Sequence, residues 1–243
     1  MIATPMHHRA AALSDIGLHR RENEDRFVCD ERRGLYGVAD GIGGLPHGEL
    51  AAATAIEAVE RLVAHSAAER AAQDLEAIIA TANGDVVQQG RQVSPLYSIG
   101  TTLTFGLLHG SLLRLAHVGD SRCYQFRSGR LERLTTDHNV ESDRRLRHVR
   151  PDHEGASDRN RAALTRCIGQ WTTPIADLSE HETHPGDRIL FCTDGLFRSV
   201  DDLELAAALA SASDPTRTLR DLIDLANRRG GYDNATAVLV LLD

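Results

Sequence analysis

The apolar positions change period along the chain, and the elements follow from those changes. Ala10 to Leu18 and Arg26 to Cys29 read as strands, and Leu35 to Ala39 as a buried strand. That strand ends in Val38-Ala39-Asp40-Gly41-Ile42-Gly43-Gly44, an acid followed by residues that leave the backbone bare. Alanine, leucine and isoleucine then recur at helical spacing between charged residues, predicting helices over Glu49–His65 and Ala68–Gln89. Gly90 to Ser98 reads as a connector. Strands follow at Thr101–Leu108, Ser111–Val118, Arg122–Arg127 and Leu131–Leu134, with hairpin turns at His109-Gly110 and Ser128-Gly129. Asn139–Arg147 fits a short helix, and Arg150–Arg161 is polar enough for a surface loop or flap. Strands at Ile175–Glu182 and Asp187–Cys192, helices at Asp201–Ala210 and Pro215–Arg229, and a last strand at Ala235–Leu242 complete the chain. Strands and helices come in blocks without strict alternation. The expectation is an α+β layered sandwich, antiparallel sheets covered by helix pairs.

Length and composition narrow the function classes. At 243 residues the chain suits one large domain, or a compact domain with an insertion. No apolar run reaches the roughly 18–20 residues of a membrane span, and no signal layout opens the chain, so a cytoplasmic protein is expected. A net charge of −8 argues against nucleic acid or an anionic membrane as partner. All 27 basic residues are arginine, which excludes lysine chemistry such as Schiff bases. Cys29, Cys123, Cys167 and Cys192 are isolated and read as free thiols in a reducing compartment.

Four acids lie at the ends of apolar strands: Asp40 in VADG, Asp120 in HVGDS, Asp194 in FCTDG and Asp233 in GGYDN. The pair Glu24-Asp25 stands just before the second strand. One Asp-Gly is ordinary turn chemistry. Four at core strand ends are harder to treat as independent turns, because clustered carboxylates repel unless a cation neutralises them. Oxygen-only ligands point to a hard ion, Mg²⁺ or Mn²⁺. Two such ions about 3.5–4 Å apart activate a water and clamp a phosphoryl group. Arg20, with a guanidinium that forks onto two phosphate oxygens, is the candidate phosphate ligand.

Other readings are weaker. A dinucleotide loop fails because Pro46 takes the place of the third glycine and Asp40 would face the pyrophosphate. A serine hydrolase at Asp120-Ser121 lacks the late histidine, since no histidine follows His184. A fold of this kind that only binds a partner would have lost its ligand acids, and the principal ones are present.

The motifs together resemble the metal-dependent protein serine/threonine phosphatase family (PPM, type 2C) in its short bacterial form. They run nearly end to end: Ser14-Asp15-Ile16-Gly17 with Arg20 to Asp25, VADGIGG with Gly48-Glu49, Gly100-Thr101-Thr102, Val118 to Arg122, and Leu134 to His138. Leu164-Thr165-Arg166 with Gly169, Pro185-Gly186-Asp187, Thr193 to Leu196, and Gly231 with Asp233 to Thr236 complete the set. The resemblance implies a four-layer αββα sandwich and a single domain over 1–243, with a flap over 140–161. It implies two Mn²⁺ or Mg²⁺ ions, bridged by Asp40, with the Gly41 carbonyl on one and Asp194 and Asp233 on the other. Glu24 and Asp25 would act through metal-bound waters, and Arg20 would bind phosphate. Asp120 with Asp194 matches a third, weaker metal site. The implied catalytic residues are Arg20 and Asp40, and the implied mechanism is direct attack by a bridging water or hydroxide, without a phosphoenzyme. Implied partners are phosphoserine and phosphothreonine proteins, with a eukaryotic-like serine/threonine kinase and its targets, and a monomeric state. The enzymatic alternative is a dedicated phosphatase of a sigma-factor-type regulatory phosphoprotein.

One departure matters. Ile42 replaces the histidine that many eukaryotic members carry, so a metal-bound water or another group must protonate the leaving group. His47 nearby reads as a solvated loop residue, and His181-x-x-His184 as surface histidines rather than a zinc site. Arg144, Arg145, Arg147 and Arg150 form a basic cluster that reads first as a solvated face and second as a recruiter of acidic substrates. Trp171 reads as a packing residue.

Overall fold

The computed structural model describes residues 7–43, 45, 47–63, 73–93, 98–146 and 162–243. Gly44, the expected helix start at 68–72, and the greater part of the expected flap, with Arg147 and Arg150, lie outside them. One antiparallel sheet runs in the order β1 (His8–Asp15), β10 (Ala235–Leu242), β9 (Arg188–Cys192), β6 (Arg122–Arg127), β7 (Arg130–Arg133). The other runs β2 (Asp25–Asp30), β3 (Leu35–Asp40), β4 (Leu103–His109), β5 (Leu112–Val118), β8 (Asp177–Glu182). Helices α1 (Gly48–Leu62) and α2 (Leu75–Val93) cover the second sheet. Short α3 (Val140–Leu146) and α4 (Asp194–Phe197) precede α5 (Asp202–Ala210) and α6 (Pro215–Arg228), which cover the first sheet. The layers are α, β, β, α. Among the described residues no helix is long and apolar enough to cross a membrane.

Three apolar layers hold the stack. Val38, Tyr36, Leu113 and Leu115 of one sheet meet Ile189, Phe191, Val238 and Val240 of the other. Ala51, Ala55, Val59, Ile79 and Val86 pack on Leu103, Phe105 and Leu107. Leu205, Leu219 and Leu222 pack on Leu190, Leu239 and Leu241. This explains why Ala235–Leu242 is buried at every position and apolar at all but Thr236. Alternate residues of β10 face the other sheet and the helices, so neither face sees water.

Several boundaries differ from the sequence reading, for local reasons. β1 stops at Asp15, because Gly17 turns at φ +77° and Asp15 Oδ1 accepts its N–H at 2.8 Å. Ile16 to Leu18 are therefore not strand. α2 continues through Gly90 to Val93; the glycine read as the start of the connector lies against Ile99, where a Cβ would stand 3.1 Å from a side-chain carbon. Thr101 makes single bridges to Gly41 and Ile168, and β4 starts only at Leu103. β8 likewise begins at Asp177, two residues after Ile175. The four-residue α4 is too short to impose a period and was not foreseen. Trp171 is not a core residue: it is 71% exposed, with the Arg91 guanidinium 4.7 Å above its ring.

Phe191 spans the space between the sheets, and its ring tip reaches Gly106 of β4, where a Cβ would stand 3.0 Å from it. Phe191→Ala should cost about 3–5 kcal/mol, the range for a buried aromatic truncation. Urea unfolding measures it; a midpoint within error of the parent would contradict the layer as described.

Candidate metal centre

Register brings the acids together. Asp25 opens β2 and Asp40 closes β3, and the antiparallel ladder sets them opposite each other. Asp194 follows β9, and Asp233 stands two residues before β10, on the neighbouring strand of the other sheet. Asp120 follows β5. Asp25, Asp194, Asp120 and Asp233 all act electrostatically on Asp40, and Asp40 is hydrogen-bonded to Asp194. The strand-end acids therefore form one cluster at one end of the sandwich.

Hydroxyl and amide groups fix the backbone beneath them. The Asp40 N–H donates to Thr102 Oγ1 at 2.9 Å, and its carbonyl accepts from the Thr102 N–H and Thr101 Oγ1, each at 2.8 Å. Thr102 Oγ1 lies 2.7 Å from Ser121 Oγ. Asp25 Oδ2 accepts from Thr193 Oγ1 at 2.8 Å, while Asp25 Oδ1 is buried with no partner among the described residues. Asn234 holds the loop that carries Arg20: its Nδ2 donates to the carbonyls of Ile16 and Glu22, and its Oδ1 accepts the Glu24 N–H. These positions fall inside the motifs of the resemblance, but no chemistry marks them in the sequence, and only the pairing gives each a task.

Glu24 reaches the start of α1, where the Gly48 N–H bonds its carboxylate. A helix N-terminus favours an anion. His47, the residue before the helix, is exposed, left-handed at φ 61°, and offers no cap of its own. Gly41 and Gly48 pass so closely that a Cβ on Gly41 would lie 2.5 Å from the Gly48 carbonyl, so residue 41 has to be glycine. Arg20 Nη2 lies 2.8 Å from Asp233 Oδ2, and Nη1 3.8 Å from Glu24 Oε2. Its guanidinium rests beside the bare Cα of Gly43. Burial works against the Arg20 charge, but the Asp233 charge and hydrogen bond outweigh it and raise its pKa.

The cluster is electrostatically uncomfortable. Burial, then the neighbouring carboxylates, push Asp40 well above the ordinary carboxylate range. Burial likewise pushes Asp25 and Asp120 up to about 7. Among the described residues no three His, Cys, Asp or Glu side chains converge as a finished metal site. Arginines take the outer oxygens instead, Arg20 on Asp233 and Arg198 on Asp194 at 3.0 Å. The donor chemistry still fits a hard divalent cation: every ligand is oxygen, the carboxylates crowd one another, and Asp25 Oδ1 lacks a partner.

The profile of the family described as Protein phosphatase 2C matches residues 19–235. This chain belongs to the protein phosphatase 2C family. It is 35% identical over 233 residues to the serine/threonine protein phosphatase PstP of Mycobacterium tuberculosis, covering 95% of this chain and 44% of that protein. The chain thus spans less than half the length of that relative. It resembles PppA, a regulatory component of the type VI secretion system of Pseudomonas aeruginosa, with TM-score 0.83 and 31% identity over 98% of both chains. It also resembles the catalytic domain of PstP solved with two manganese ions, with TM-score 0.81 and 32% identity over 97% of this chain and 99% of that one.

Within this protein phosphatase 2C chain, Ile42 packs toward Gly100, where a Cβ would stand 2.9 Å from Ile42 Cδ1. An apolar side chain there fills the wall of the loop. His181 is bonded to Ser179 Oγ at 2.8 Å and His184 is exposed, so the His-x-x-His pair forms no ligand set. Arg145 pairs with Glu141 on α3.

The raised acids have a sign. An acid whose folded pKa exceeds its unfolded value holds its proton more tightly when native, so it destabilises increasingly as pH rises between the two values. For Asp25 that window runs from 3.8 to about 7. In chelator, Asp25→Asn should gain stability relative to the parent as pH rises from 5 to 8. Paired urea melts at each pH would show it, and a pH-independent difference would sink it.

Proposed function

We propose that this chain is a metal-dependent phosphatase that hydrolyses phosphoserine and phosphothreonine in proteins. The observation that carries this reading is the convergence of Asp25, Asp40, Asp194 and Asp233 beside Arg20, with Asp25 Oδ1 lacking a hydrogen-bond partner among the described residues. Asp40, the Gly41 carbonyl, Asp194 and Asp233 would hold the two ions of this centre, with Asp40 shared between them. Glu24 and Asp25 would support the ions through water. Two Mn²⁺ or Mg²⁺ ions, when bound, supply Lewis acidity toward the phosphoryl group and lower the pKa of the attacking water.

The remaining work belongs to the chain. Arg20 forks onto two non-bridging phosphate oxygens and orients the phosphorus for in-line attack, exchanging Asp233 for substrate as it does so. Thr101 and Thr102 keep the Asp40 backbone from moving when charge shifts during the reaction. The Glu24 carboxylate, tied to the start of α1, fixes the distance between the Arg20 loop and Gly41. With isoleucine at 42, that residue contributes shape and no proton.

The substrates are phosphoproteins, supplied by a eukaryotic-like serine/threonine kinase, and the chain acts as a monomer. Four free cysteines support a reducing, cytoplasmic setting.

The test is hydrolysis of a phosphothreonine peptide and of p-nitrophenyl phosphate with Mn²⁺, with Mg²⁺ and with chelator. Activity should require the ion and vanish on chelation; activity that survives exhaustive chelation refutes the proposal. Asp40→Asn and Asp233→Asn should each lower kcat/KM about 100-fold or more, the scale of losing one preorganised electrostatic group. Arg20→Ala should raise KM by roughly 10-fold or more, as loss of a charge-assisted bidentate contact does.

A further inference from the structure

Asp194 opens α4, and Arg198 follows one turn later, so the two side chains share a helix face. The fold fixes that face. Leu196 and Val200 are buried on the opposite side, and the Arg198 N–H donates to the Asp194 carbonyl at 2.9 Å. Gly195 is pressed so hard against the chain that a Cβ would lie 2.0 Å from the Asn234 carbonyl oxygen. The short helix cannot rotate, and whatever stands at 198 looks onto the carboxylates.

In this chain the residue is arginine. Arg198 Nη2 lies 3.0 Å from Asp194 Oδ2 and 3.7 Å from Asp120 Oδ2, between the buried Asp120 and the partly buried Asp194. The other guanidinium groups that act on these acids are committed elsewhere: Arg20 bonds Asp233 at 2.8 Å, and Arg122 grips Asp137 at 3.0 and 2.8 Å and stacks on the Phe197 ring at 3.7 Å. Arg133 also turns to Asp137. The positive charge between Asp120 and Asp194 therefore comes from residue 198, on a side chain that is half exposed and free to approach from the rim.

We infer that Arg198 is a resident cation at the Asp120–Asp194 pair, standing where a third divalent ion would otherwise bind, so that the chain loads with two ions. The inference rests on the metal-dependent reading above. A third ion at this pair must displace Arg198 from Asp194 Oδ2 and then sit beside its charge, whereas the two proposed ions can use the other Asp194 oxygen, Oδ1, and otherwise meet the exchangeable Arg20 on Asp233. Asp120 then has a different task from the one the family resemblance implies. It is a counter-ion that holds Arg198, and through Arg198 the orientation of Asp194.

Equilibrium dialysis against Mn²⁺ from micromolar to millimolar, with bound metal counted by elemental analysis, reads this directly on the full chain. The parent should saturate at two ions, Arg198→Asn should gain a third and weaker ion, and Arg198→Asn with Asp120→Asn should lose it again. Arg198→Lys keeps the charge and should stay at two. A parent that binds three ions and loses one on Asp120→Asn overturns the inference, as does Arg198→Asn with an unchanged count. If Arg198→Asn does not fold, the single Asp120→Asn decides: two ions retained supports the inference, and one ion lost refutes it. A parent with two ions bound but no hydrolysis would refute the catalytic reading alone, because the count difference between parent and variant does not depend on turnover.

Discussion

The pairing of Asp25 with Asp40 across the β2–β3 ladder is the constraint on which the site depends. Register in a sheet is set by the apolar pattern, because a one-residue slip would turn every core side chain to the wrong face. The same Val28, Val38 and Leu35 that bury the two strands thus force two carboxylates into opposition in a place that water reaches poorly. Hydrophobic burial assembles an arrangement that electrostatics opposes. A fold tolerates such strain when a bound cation relieves it, and the raised pKa values of Asp25, Asp40 and Asp120 are the visible form of that strain.

Around this pair the structure is stiff where it has to be. Two threonines and a serine lock the Asp40 turn, Asn234 ties three points of the loop carrying Arg20, and glycines at 41, 48 and 195 allow contacts no side chain would permit. The acids are held from beneath by neutral groups, which leaves their outer oxygens to cations. This division suits a centre whose occupants exchange while its frame does not.

Much of this was legible in the sequence. The apolar run of β10, the two hairpin glycines and the blocks of strands and helices predicted the sandwich, and each acid was visible at a strand end. What period and composition could not give was partnership. Thr101 and Thr102 look like strand residues until their hydroxyls are seen on the Asp40 carbonyl and amide. Trp171 looks like core until Arg91 is found over its exposed ring. Gly90 and the Asp194 helix failed for a related reason: one is a packing contact inside a helix, the other a single turn with no period to detect. Arg198 was passed over because an arginine four residues beyond an acid is commonplace; its direction follows only from the burial of Leu196 and Val200.

The absence of lysine gives these arginines a common meaning. A guanidinium keeps its charge at any pH the protein meets and holds carboxylates in a fixed plane. Placed at the rim, Arg20 and Arg198 make the cluster foldable before any ion arrives, since each removes one uncompensated charge from the crowd. They differ in what they give up afterwards. Arg20 shares Asp233 and sits against the side-chain-free Gly43, so it can turn to an incoming phosphate at little steric cost. Arg198 is rooted on a helix turn locked by Gly195 and two buried neighbours, with both of its acids behind it. The first arginine is built to exchange partners, and the second to stay.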